Sequence, residues 1–322
     1  NIVKGRMSLR NNVRSMLEGA LLSGIFIILM FLTLYSPFGV ITAMALSVPF
    51  TIYAARHGVK PSLLVVGVSA ILTVIIGGAL LLVFNALFSG MLGVVMGTLY
   101  RQGRKATVVF VGGTLASLVF LLGSLIISNY VFKMNLVASM QSMFNQSIQM
   151  SESMLNQIGA NDPKQVEMLR SMITLIPKLL PMLLIVGSAQ FSIINHWLSR
   201  KILQRLGMNV SAFPPFREWS WPKSVMVYYL IVLTASIFLM KEDGMNAFNV
   251  ILLNIKPILD IMMIIQGLSL VFYFSYVKGY GKGIPIVAFV LVFIFQPFPF
   301  ILILLGILDI GMDLRKRIVS NK

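Results

Sequence analysis

Lys256 and Asp260 are the pair with the most chemical potential in a chain that is otherwise sparing with it. They stand four residues apart, so a helix puts them on one face within pairing distance, and both lie inside a long apolar run, Asn246 to Val277. At 1.5 Å per residue from Asn246, Lys256 lies about 15 Å in, near the middle of a hydrocarbon core about 30 Å thick. Pro257 between them removes a backbone donor and frees the carbonyl of Leu253, and Asn254 and Gln266 lie on the same run. Ionisable groups at that depth are costly and are functional candidates by default. Asn254, Lys256 and Asp260 could carry a proton relay or anchor an anionic group. The same pair could equally be a neutralised lock between helix bundles. Lys178, set between Pro177 and Pro181, is a further pathway candidate, because two prolines there would bend a helix end into an entrance.

Enzyme constellations are missing. The chain has no Cys and two His residues, His57 and His196, and lacks H-E-x-x-H, a P-loop and a G-x-S-x-G elbow. The sequence therefore predicts no enzyme, no metal site and no cofactor, and no ATPase of its own. A Met-rich stripe from Leu136 to Ile158 could offer thioethers to Cu(I), but Met also simply fills an irregular apolar face, and no His or Cys reinforces the metal reading.

The elements that must position these residues are membrane helices. Of 322 residues, 57% are hydrophobic and 11% charged, with mean hydropathy +0.89, where soluble domains carry about 25% charged residues. Runs long enough to cross a bilayer cover Met16–Tyr35, Phe38–Ala55, 61–76, 79–100 with a turn at Gly77-Gly78, Ala106–Val131, Leu175–Trp197, Ser224–Met240 and Asn246–Val277. A last run, Ile284–Met312, is broken by Pro297-Phe298-Pro299, and is read as a short hairpin rather than one tilted span. The prediction is an all-α polytopic bundle of about 8–10 segments. The first run reads as a span and not as a cleaved signal, since it is long and lacks a small-residue exit.

Charge sets the orientation. Residues 1–14, 56–60, 101–105, 200–223, 278–282 and 315–322 hold 20 of the 26 Lys and Arg residues and, among acids, only Glu218. The positive-inside rule puts these segments, and the N-terminus, in the cytoplasm. The net charge of +16 is then an insertion signal and a contact with the lipid surface, not a nucleic-acid footprint. The stretch 134–172 falls outside, as an amphipathic helix followed by a second short helix that Asp162 would cap with Pro163 in its first turn.

Two other groups invite contacts. Gly19, Ala20, Ser23 and Gly24 give small residues at i, i+4 spacing on the first span, which lets another helix approach, either within the chain or from a partner. Arg217, Trp219 and Trp221 lie in the basic, aromatic link and could dock a cytoplasmic partner or simply anchor at the interface. The chain divides into 1–206, the link 207–223, and 224–322.

Glu18-Gly19-Ala20-Leu21-Leu22, Tyr35-Ser36-Pro37, Val48-Pro49-Phe50, Arg56-His57-Gly58, the link Phe213 to Pro222, Leu305 to Asp309 and Asp313-Leu314-Arg315 together resemble the YybS-like family of bacterial membrane proteins. The first six helices of that family are in turn similar to the substrate-binding (S) components of energy-coupling factor transporters. That resemblance implies a small-molecule binding or uptake subunit in the bacterial cell membrane, with 134–172 as a lid. It implies that Ala20 and Gly24, with Gly19 and Ser23, face a coupling membrane protein driven by ATPase subunits. A non-transporting scaffold or regulatory partner is the alternative, and an ion-coupled carrier using Lys256 and Asp260 a further one.

Overall fold

The computed structural model describes residues 2–77, 82–130, 133–157, 163–239, 246–281 and 283–320. Among them there is helix and no strand. The long helices are α1 (Ile2–Tyr35), α4 (Val59–Gly77), α5 (Leu82–Arg101), α6 (Ala106–Tyr130), α7 (Leu136–Gln157), α8 (Pro163–Arg205) and α10 (Ala247–Lys278). Shorter ones are α2 (Gly39–Ala45), α3 (Val48–His57), α9 (Lys223–Phe238), α11 (Gly283–Ile294), α12 (Phe298–Met312) and α13 (Leu314–Ser320), with a single 3-10 turn at Phe216–Glu218.

Seven segments among the described residues are long and apolar enough to span a bilayer: 13–35, 39–57, 59–77, 82–101, 106–130, 166–205 and 247–278. The apolar helices α9, α11 and α12 are shorter. The protein is a polytopic helical membrane protein, as its composition predicts.

Three departures from simple spans have physical causes. The second span is two helices, because Pro49 falls one residue after the start of α3 and its ring excludes a continuous turn through Leu46 and Ser47. The final apolar run is likewise two helices, ending at Ile294 and restarting at Phe298 after Pro297. By contrast, no separate short helix follows residue 163. α8 runs unbroken for 43 residues through Pro177 and Pro181. The expected turn at Gly77-Gly78 and the expected cap at Asp162 involve residues outside those described.

The chain folds as two compact units, 1–142 with 184–212, and 143–183 with 213–322. In the first, Phe26, Met30, Phe50, Tyr53 and Val66 form the core of one cluster, and Leu92, Met96, Val109 and Leu203 that of another. The tightest packing there is α5 on α3. A methyl at Gly93 would come within 2.7 Å of both Phe50 Cβ and the Ser47 carbonyl oxygen, and one at Gly97 within 2.6 Å of Ala54 Cβ. Glycine thus lets two backbones approach where dispersion, rather than water exclusion, holds membrane helices together. In the second unit, Tyr229, Leu259, Met263, Ile303 and Ile310 pack α9, α10 and α12 together. Gly267 and Gly306 again mark the close approach, here of α10 and α12.

Candidate functional site

In the second unit Asn254 is buried, at 8% exposure, and its amide reaches across to α8. Nδ2 donates to the Lys178 carbonyl at 2.7 Å, and Oδ1 accepts from the Met182 N–H at 2.9 Å. Those two backbone groups lie one turn apart beside Pro177 and Pro181, and a side-chain amide has one donor and one acceptor to offer them. This stitch ties α10 to α8 at its prolines. Of the four pathway candidates, the structure therefore joins Asn254 to Lys178, through the lysine's carbonyl rather than its ammonium.

Lys256 and Asp260 form the ion pair that their spacing predicts, Nζ to Oδ2 at 2.7 Å, with side chains 36% and 21% exposed. They lie on a different face of α10 from Asn254, since two residues are 200° of helix. Tyr229, buried on α9, comes close to the same carboxylate, and Asp260 Oδ1 is buried without a hydrogen bond. The pair is thus charge-neutral but incompletely satisfied.

The link does internal work. Trp221 donates its backbone N–H to Gln266 Oε1 (2.9 Å) and its indole N–H to the Met262 carbonyl (3.0 Å). Trp219 Nε1 donates to the Pro214 carbonyl, and the Arg217 guanidinium lies 3.9 Å above the Tyr276 ring. Ser269 Oγ lies 2.8 Å from both the Phe216 and the Trp219 carbonyls, and Arg315, which the sequence offered only within a family-like motif, also binds the link to the helices. Its Nε donates to Asp309 Oδ2 (2.9 Å), Nη1 to the Arg217 carbonyl (2.9 Å) and Nη2 to the Trp219 carbonyl (2.8 Å) and Ser269 Oγ (3.1 Å). Asp309, 4% exposed, also accepts from Gln266 Nε2 at 2.6 Å. Asp309 and Arg315 are six apart across the break at Asp313, whose φ is 50°, so no single-helix periodicity points to them. Because Arg315 touches residues 217 and 219, the chain after α12 lies at the same end of this unit as the link.

In the first unit the small residues of α1 divide between two faces. Gly19 is buried, its would-be Cβ 2.9 Å from Val65 Cγ2, and Ser23 accepts from Ser69 Oγ at 3.1 Å. Ala20 and Gly24 are exposed, and a Cβ at Gly24 would meet nothing within 4 Å. Nearby, three side chains share Glu18: His57 Nε2 at 2.7 Å, Arg56 at 3.3 Å and Arg14 at 3.7 Å. The Arg14 pairing is legible from i, i+4 spacing; the other two belong to the end of α3 and are not.

A second amide stitch lies at the α2–α3 break. Asn195 of α8, fully buried, donates through Nδ2 to Ser47 Oγ and accepts through Oδ1 from Thr51 Oγ1 (3.0 Å) and Ser199 Oγ (3.1 Å). Beside it Tyr100 OH and His196 Nδ1 are 2.6 Å apart. Among the described residues no group of three His, Asp or Glu side chains is placed to hold a metal ion. The Met stripe of α7 stands open, with Met143, Met150 and Met154 all more than 60% exposed.

Comparison with known proteins places this architecture. The family described as Predicted membrane protein (DUF2232) matches residues 24–310. Uncharacterized protein YybS of Bacillus subtilis (strain 168) is 29% identical over 312 residues, covering 95% of this chain and 98% of that protein. No solved structure matches the chain.

Proposed function

The chain belongs to the DUF2232 family of predicted membrane proteins, and on that premise we propose that it is a transport-related subunit of the bacterial cell membrane, similar to S components. It binds a small molecule and lacks an ATPase of its own. The observation that carries this reading is the division of small residues on α1. Gly19 and Ser23 are spent inside the unit against α4, whereas Ala20 and Gly24, one residue on, are left facing outward. An outward small-residue pair on a membrane helix suits close approach by a second membrane protein. The energy for uptake then comes from ATPase subunits attached to that protein.

The test uses the absence of Cys from the chain. Ala20→Cys introduces the one reactive thiol, and crosslinking in cells captures whatever lies against it. Recovery of a coupling membrane protein and an ATPase, lost on Ala20→Leu with Gly24→Leu, supports the reading. Thermal shift with vitamins, metal ions and nucleobases gives the ligand, since binding to the folded state alone raises its stability. No such subunit and no stabilising ligand would overturn it. An ion-coupled carrier is the second reading, favoured by the unbonded Oδ1 of Asp260 beside Lys256.

A further inference from the structure

At the end of the second unit where α9 begins and α12 stops, a cavity of about 220 Å³ opens beside Trp221. Its charged lining comprises Lys223, Arg315 and Lys316 against Asp309 and Asp313, which leaves one net positive charge. Arg315 is committed to Asp309 and the link. Lys223 and Lys316 are not committed to the same degree. They reach Asp313 at 3.3 and 3.8 Å, and their side chains stay 66% and 83% exposed. Two half-free ammonium groups therefore converge on one carboxylate at the rim of a polar hollow.

The surroundings of this rim are apolar and outward-facing. On α9, Val227 and Ile231 follow Lys223 at four-residue spacing, 47% and 60% exposed; on α12, Leu304, Leu308 and Met312 form a similar row ending just before Asp313, each 44–47% exposed. Trp221, whose indole is pinned to Met262, is a residue typical of the boundary between headgroups and acyl chains. Cations at one end and apolar rows leading away from them match the chemistry of an acidic phospholipid. A soluble anion would use the lysines and ignore the rows.

We propose that this cavity binds the phosphate headgroup of an acidic phospholipid, through Lys223 and Lys316, with the acyl chains lying along Val227–Ile231 and Leu304–Met312. Each cation near an anionic surface contributes attraction that is lost when it is neutralised. The lipid would brace the same end of the unit that Arg315 fastens. This inference is independent of the transport reading and survives its failure.

Native mass spectrometry of the full chain in detergent, offered equal phosphatidylglycerol and phosphatidylcholine, tests it. The expected result is preferential retention of phosphatidylglycerol, reduced roughly tenfold or more in Lys223→Gln with Lys316→Gln. The charge-keeping Lys223→Arg with Lys316→Arg should restore retention, which separates lost binding from lost folding. Lys60→Gln with Lys105→Gln, exposed lysines of the other unit, should leave it unchanged. Equal retention of both lipids, or an equal loss from the Lys60 and Lys105 pair, overturns the site. So does saturable thermal stabilisation by inorganic phosphate without lipid preference, which would mean a soluble anion.

Discussion

Asn254 fills the turn that opens at Lys178: its amide bonds both the Lys178 carbonyl and the Met182 N–H. Beside the two prolines of α8, a single side chain from α10 bonds a backbone acceptor and a backbone donor one turn apart. The bent entrance suggested by Pro177 and Pro181 is thus a seam between two helices.

Asn254→Leu removes the amide that joins α10 to the Lys178 carbonyl and the Met182 N–H and should destabilise the protein by about 0.5–1.5 kcal/mol. Asn254→Asp keeps the acceptor for Met182 but loses the donor to Lys178, so it should not restore that loss. Thermal unfolding in detergent measures both. An unchanged unfolding temperature in Asn254→Leu would show that the amide does not hold the two helices together.

Arg315→Gln should strand Asp309 in a buried site, where breaking a pair costs about 3–5 kcal/mol. It also removes the donors that fasten Arg217 and Trp219, so limited trypsin digestion should cut after Arg217 many-fold faster. Arg315→Lys should protect only partly, because an ammonium lacks the planar fork that reaches four acceptors at once. Unchanged digestion in both variants would mean that the tryptophans and Ser269 hold the link without Arg315.

How much of this was legible in the sequence follows from the range of each signal. The spans, the broken last run and the Lys256–Asp260 pair come from local hydropathy, proline chemistry and i, i+4 spacing, and those are properties of one segment; the break of the second run before Pro49 was not read from it. Asn195 at Ser47 and Thr51, Glu18 at Arg56 and His57, and Arg315 at Asp309 join residues from different elements or across a left-handed break. Composition gives no register for such pairs. Gly93 and Gly97 were visible as glycines, but only the approach of α3 shows why a methyl is excluded. The small residues of α1 were legible as a group, and not their division between two faces.

Gly97→Leu should force α3 off α5, because its side chain would collide with Ala54 and the backbone beside it. Overpacking of this kind costs about 1–3 kcal/mol, and more where the obstacle is backbone. Gly24→Leu, with open space around it, should change stability by under about 0.5 kcal/mol. Thermal unfolding of the two variants side by side checks the contrast. Equal effects would contradict the packing of α1 and α5 described above.

Lys256 and Asp260 separate structure from transport by a double replacement. Asp260→Asn alone leaves the Lys256 ammonium without its counterion, and Lys256→Gln alone leaves the carboxylate, so each should lower the unfolding temperature. Replacing both by apolar residues, Lys256→Met with Asp260→Leu, removes both charges, and exchanges of this sort are often neutral or stabilising. If the pair only holds α10 in place, the double variant should regain both stability and the cellular phenotype. If it carries ions, stability should return while ion-dependent uptake into proteoliposomes stays absent, because an apolar pair can pack but cannot exchange a proton.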